Sequence, residues 1–99
     1  MSTLSSIASS GLQAAQLRLG TSAHNVANTQ TADFKRHSVA QQAQPGGGVS
    51  ASVQTARQSG THLEADAVEQ MSATYAFKAN LLTLRTAHDM LGSLLNERA

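Results

Sequence analysis

The chain has 99 residues, seven Lys or Arg against six Asp or Glu, a net charge of +1 and no cysteine. That length holds one domain at most, and basic residues this few and scattered exclude a nucleic-acid binder, which needs them clustered on one surface. The lack of thiols removes disulfides and thiolate metal sites and is compatible with either a reducing or an oxidising compartment.

Apolar residues make up 40% of the chain, but the only aromatic ones are Phe34, Tyr75 and Phe77, and alanine supplies much of the rest. Such side chains bury little area each, so a monomer built from them is expected to be marginally stable, with a partner supplying the missing burial.

Residues 2 to 17 contain no charged side chain, and Ser and Thr dominate the first ten positions. Leu4, Ile7 and Leu12 are separated by polar residues, unlike the unbroken apolar run of a cleavable secretory signal. Nothing in the sequence is expected to span a membrane. Over residues 4 to 28, Leu4, Ala8, Leu12, Ala15, Leu19, Ala23 and Val26 recur at steps of three and four. At helical pitch they fall within an arc of about 100°, with Gln13, Thr21 and His24 pointing elsewhere and Leu17 off the stripe. Gly11 and Gly20 each weaken this helix by roughly 1 kcal/mol relative to alanine. Asn28 suits the left-handed conformation that stops a helix.

The helix closes on Ala23-His24-Asn25-Val26-Ala27-Asn28-Thr29-Gln30-Thr31-Ala32-Asp33-Phe34-Lys35-Arg36. This run resembles the N-terminal signature of bacterial flagellar rod and hook proteins, roughly Asn-Ile-Ala-Asn, two variable residues, then Thr-Pro-Gly-Phe-Lys-Arg. Asn25, Val26, Ala27, Asn28, Thr31, Phe34, Lys35 and Arg36 stand in its places, and Ala32 and Asp33 replace the usual Pro and Gly. For Asn25 and Asn28 two readings stay open: local capping at a helix end, or amides that fix the register of packed subunits. Phe34 is either a core anchor or a plug into a neighbour.

From Phe34 to about Gly60 the helical period disappears, and Pro45-Gly46-Gly47-Gly48 marks a break. Val49, Ala51, Val53 and Thr55 then alternate with Ser50, Ser52 and Gln54, the pattern of a strand with one covered face. Lys35 to Gln41 could pair with it. The expectation is either a small β-ribbon, which needs a helix or another subunit to lean on, or a disordered linker.

Thr61-His62-Leu63-Glu64 fits a capping box that opens a second helix, with Asp66 near the positive end of its dipole. Phe77, Leu81, Leu84, His88, Leu91 and Leu95 then repeat as in a coiled-coil seam. Val68, Met71, Tyr75, Ala79 and Leu82 form a second stripe facing a different direction, and a helix with two apolar faces usually has two neighbours. Phe77-Lys78-Ala79-Asn80, followed by Thr86, Asp89, Met90 and Leu91, resembles the C-terminal signature of the same axial proteins, with Phe77 in place of the usual Tyr. On periodicity alone, both helices also fit an ordinary hairpin packed on itself.

His24, His37, His62 and His88 match no metal-ligand spacing. The sequence also lacks a nucleophile elbow, a phosphate-binding glycine loop ahead of a helix, and a carboxylate pair. The reading is a non-enzyme with no cofactor, no metal, no nucleic-acid partner and no small-molecule substrate.

The expected fold is mainly α, two long terminal helices in a coiled-coil-like hairpin with a small β-ribbon or irregular segment between them. Residues 1–33 hold the first helix and signature turn, 34–60 the ribbon or linker, and 61–99 the second helix. The resemblance, closest to a short proximal rod protein, implies a structural subunit of the flagellar basal-body rod. It further implies export from the cytoplasm by the type III apparatus without a cleaved signal, and assembly in the periplasm-spanning rod. Its partners would be that export apparatus, other axial proteins of the rod and hook, and copies of itself. The expected assembly interface is Leu4, Leu12, Leu19, Asn25, Val26, Asn28 and Phe34 from the first half, with Phe77, Leu81, Leu84, Leu91 and Leu95 from the second. The alternatives are a soluble helical adaptor or export chaperone that binds through the Leu81 to Leu95 face, although a chaperone usually shows a more acidic surface, and a membrane-surface helix, whose polar face should be rich in Lys and Arg.

Overall fold

The computed structural model describes residues 2–98. In chain order they form helix α1 (Ser2–Ala27), strands β1 (His37–Ala43) and β2 (Val49–Thr55), and helix α2 (Leu63–Arg98). The molecule is long and thin, 63 × 25 × 14 Å. α1 runs antiparallel to α2, and both strands lie against α1. This is the expected hairpin with a ribbon between its helices. No described helix is long and apolar enough to cross a membrane.

The ribbon is antiparallel, with His37 opposite Thr55, Val39 opposite Val53 and Ala43 opposite Val49. β1 lies two residues further along than its expected Lys35 to Gln41, whereas β2 covers the alternating run as read. Two strands are marginal alone, and here the turn is pressed onto α1. Gly47 and Gly48 have φ of 96° and 87°, and a methyl group on either would overlap Ile7 or Ser10 of α1. Only glycine combines that backbone with that approach. The Ser10 hydroxyl accepts from the Val49 amide at 3.1 Å and donates to the Ile7 carbonyl at 2.7 Å.

The core follows from this packing. The buried apolar residues are Ala8, Ala14, Ala15, Ala73 and Ala87, joined by Thr21, Ser22, Asn25 and Asp66. Small side chains let the helices approach closely, but the buried arc is not the apolar stripe. Thr21 is buried where it was expected to point away, and Ala23 is exposed. The ribbon covers one flank of α1 and draws the buried arc toward its polar residues.

The ends of the helices also differ from their sequence signals. The left-handed residue after α1 is Asp33, with φ 57°, not Asn28. α2 begins at Leu63, and the Asp66 amide donates to the His62 carbonyl at 2.9 Å. The hydrogen bonds of the described residues include none from the Thr61 or Glu64 side chains, so the expected capping box is not formed there.

Candidate functional site: the signature turn and the exposed face of α2

Each signature residue with a described hydrogen bond or ring contact works within the chain. Asn25 faces inward from the last turns of α1, 3% exposed. Its Oδ1 accepts from the His37 amide at 2.9 Å and its Nδ2 donates to the His37 carbonyl at 2.7 Å, so the side chain pairs with β1 as a neighbouring strand would. The same Nδ2 donates to Asp66 Oδ1 at 3.2 Å. Asp66, itself 2% exposed, also accepts from Arg36 Nη2 at 2.5 Å. A buried carboxylate persists only when paired and hydrogen-bonded, and this one joins α1, α2 and the start of the ribbon. The Asn25 amide thus makes its hydrogen bonds inside the protomer.

Asn28 is a local cap. Its Nδ2 donates to the His24 carbonyl at 2.8 Å, and the Thr31 hydroxyl donates to Asn28 Oδ1 at 3.1 Å. The Thr29 hydroxyl likewise donates to the Val26 carbonyl. Asp33 then takes the left-handed conformation at the place where the resembled signature has glycine, a conformation that Asp and Asn tolerate better than other side chains. Phe34 is half-buried, edge-on to His24 at 5.5 Å, with the His24 and His37 rings stacked at 4.7 Å. It anchors the turn to α1 and β1. The Arg36 Nε is buried without a protein partner, beside a cleft of about 250 Å³ that Arg18, Arg36 and Glu69 help to line. That cleft has room for waters that would solvate the Nε.

Along the helix pair, Arg18 donates to Glu69 at 2.5 Å and to Ser72 at 2.9 Å. A methyl on Gly11 would overlap the Asn80 side chain, whose Nδ2 donates to the Ala76 carbonyl at 2.8 Å. Asp66, Glu69 and Asn80 were not recognisable as packing residues, because apolar periodicity carries no information on polar contacts. The signature cation Arg36 and the acid Asp66 in the first turn of α2, which the structure pairs, were the one available hint.

The large apolar side chains lie on the outside. Leu12, Leu19, Val26, Phe77 and Leu84 are half-buried, whereas Leu4, Leu81, Leu91 and Leu95 are exposed. The expected seam of α2 is therefore rotated from the face that meets α1, which carries Asp66, Ala73, Asn80, Leu84 and Ala87. The second stripe stands opposite that face: Val68, Met71, Tyr75 and Leu82 are exposed, Tyr75 at 79%. The polar cluster is spent on structural bonds, and the outer face of α2 offers apolar contact.

Comparison with protein-family models and with curated proteins finds no match.

Proposed function

We propose that this chain is a structural subunit of the bacterial flagellar rod type, exported through the type III apparatus and assembled with other axial proteins and with copies of itself. The observation that carries the reading is the inverted placement of apolar residues: alanines inside, and Leu, Met, Val and Tyr along the outer face of α2. Contiguous exposed apolar surface marks an interaction site, and a core this poor in area gains from a neighbour. The two signatures support the flagellar assignment. The N-terminal one keeps a left-handed backbone at Asp33, where the resembled pattern has glycine. Its remaining polar residues set how the ribbon leaves α1, which would give every copy the same shape.

Electron microscopy of basal bodies purified from the source organism, with the chain labelled, tests the reading. Label along the rod is expected. A chain absent from basal bodies, and recovered instead in a small discrete complex with one other protein, overturns the rod reading in favour of the adaptor or chaperone alternative.

A further inference from the structure

The register of the ribbon says which of its backbone groups point outward. Opposite residues of an antiparallel pair alternate between pairs that exchange hydrogen bonds and pairs that do not. At one end the Ala56 amide donates to the Arg36 carbonyl at 2.8 Å, and at the other the Gln44 amide donates to the Gly48 carbonyl at 3.0 Å. With His37 opposite Thr55 and Val39 opposite Val53, the bonded pairs are the even-numbered residues. The odd-numbered residues of both strands therefore turn their N–H and C=O groups out of the ribbon. α1 meets two of these sets: Asn25 binds both groups of His37 on the edge of β1, and Ser10 accepts from the Val49 amide on the edge of β2. The rest of the β1 edge runs beside α2, Val39 sharing a cleft with Ala65 and Glu69, and Gln41 another with Ala76 and Asn80. On the β2 edge, no hydrogen bond among the described residues reaches the outward groups of Ala51, Val53 or Thr55.

Nothing blunts that edge. Proteins guard such a strand with Lys, Pro or a bulge, whereas the register of β2 is unbroken, and residues 38–55 carry no charged side chain and their one proline, Pro45, lies in the turn. Val53 is 44% exposed and Thr55 is exposed. Unpaired groups that repeat at every second residue of an extended strand are matched by another extended strand.

We propose that β2 pairs antiparallel with β2 of a second copy about a two-fold axis through Val53, making a four-stranded sheet in the order β1-β2-β2-β1. Val53 exchanges both hydrogen bonds with the partner's Val53, and Ala51 and Thr55 exchange theirs with the partner's Thr55 and the partner's Ala51. The strand suits its own copy: no like charges face each other across the axis, and the exposed valines cover one another. Arg57, the nearest charge along the chain, falls opposite the partner's Val49. Such a pair uses up both bare edges and closes at two copies. It is separate from the open array that a rod requires, involves neither apolar face of α2, and does not rest on the rod reading.

The sequence has no cysteine, so disulfide trapping of the full chain reads the pairing and its register. The two-fold sets Ser52 opposite the partner's Gln54 in a pair without hydrogen bonds, Cα atoms about 4.5 Å apart, within bridging range. Ser52→Cys and Gln54→Cys are mixed and oxidised, with Ser52→Cys and Gln42→Cys of β1 as control. The mixed 52–54 link should exceed the control by at least about tenfold. It should also exceed the self-link of either variant alone, whose sulfurs fall on the diagonal at about 7–8 Å. Val53→Pro in both partners removes no bond of the ribbon, since that N–H points outward, but deletes both donations across the axis and should cut the link at least about tenfold. Val53→Lys sets two ammonium groups opposite each other and should do the same, whereas Val53→Thr should retain the link. Circular dichroism of each variant checks that the fold is kept. A 52–54 link no stronger than the control or the self-links, or one that survives both Val53→Pro and Val53→Lys, overturns the proposal. Labelled basal bodies read the rod and trapping of the purified chain reads the pair, so either can fail alone.

Discussion

At the residue scale the decisive group is the Asn25 amide, which closes one strand-like pair with His37 and holds Asp66. Asn25→Ala leaves two part-buried backbone groups of His37 and part of the buried Asp66 carboxylate without partners, a loss of about 2–4 kcal/mol at 1–3 kcal/mol for each unsatisfied buried group, tempered by exposure and relaxation. Asn25→Asp keeps the shape but removes both Nδ2 donations and sets a second carboxylate beside Asp66. It should cost at least as much as Asn25→Ala, and less in an Asp66→Asn background, where the like charge is gone. Urea unfolding of the parent, the three single variants and the Asn25→Asp/Asp66→Asn double variant measures this. If Asn25→Asp lies within about 0.5 kcal/mol of the parent, as ordinary surface changes do, the clasp is not what holds the ribbon. The sequence marked Asn25 through its signature but not its use, because its partner Asp66 is 41 positions away and looked like an exposed helix-dipole residue.

At the element scale the number, order and antiparallel run of the helices were legible, since periodicity sustained over many turns is a strong signal. The phase of each buried face was not. On α1 the wedge formed by α2 and the ribbon admits only small side chains, so Ala14, Thr21 and Ser22 enter it while Ala23 stays outside. The two α1 glycines, alike in sequence, separate on the same ground. Gly20 has open space around it, and Gly20→Ala should stabilise by about 1 kcal/mol through helix propensity. Gly11→Ala must push the Asn80 amide off the Ala76 carbonyl, and a hydrogen bond of about 1 kcal/mol offsets the same propensity gain. The change should therefore be close to neutral in the parent and gain about 1 kcal/mol in an Asn80→Ala background. Equal effects of Gly11→Ala in both backgrounds would show that the helices do not touch there as described.

At the scale of the molecule, a shape only 14 Å through in its thinnest direction leaves almost every side chain near the surface, and the alanine core of the described residues, with its polar clasp, contributes little burial. Folding of the monomer is then linked to association by mass action: above the dissociation constant, each tenfold rise in concentration should add up to about 1.4 kcal/mol to the apparent stability. Helix content followed by circular dichroism across a dilution series should fall at the low end, and the thermal midpoint should rise with concentration. Leu91 is exposed, so Leu91→Asp should leave the dilute protein nearly unchanged. The concentration dependence of its helix content should vanish, because a contact made there would have to bury an unpaired carboxylate. Ser93→Asp, on the opposite side of α2, should retain it. Full helicity and one melting temperature at every dilution of the parent would mean that the alanine core suffices alone, and the exposed leucines would then need an explanation other than assembly.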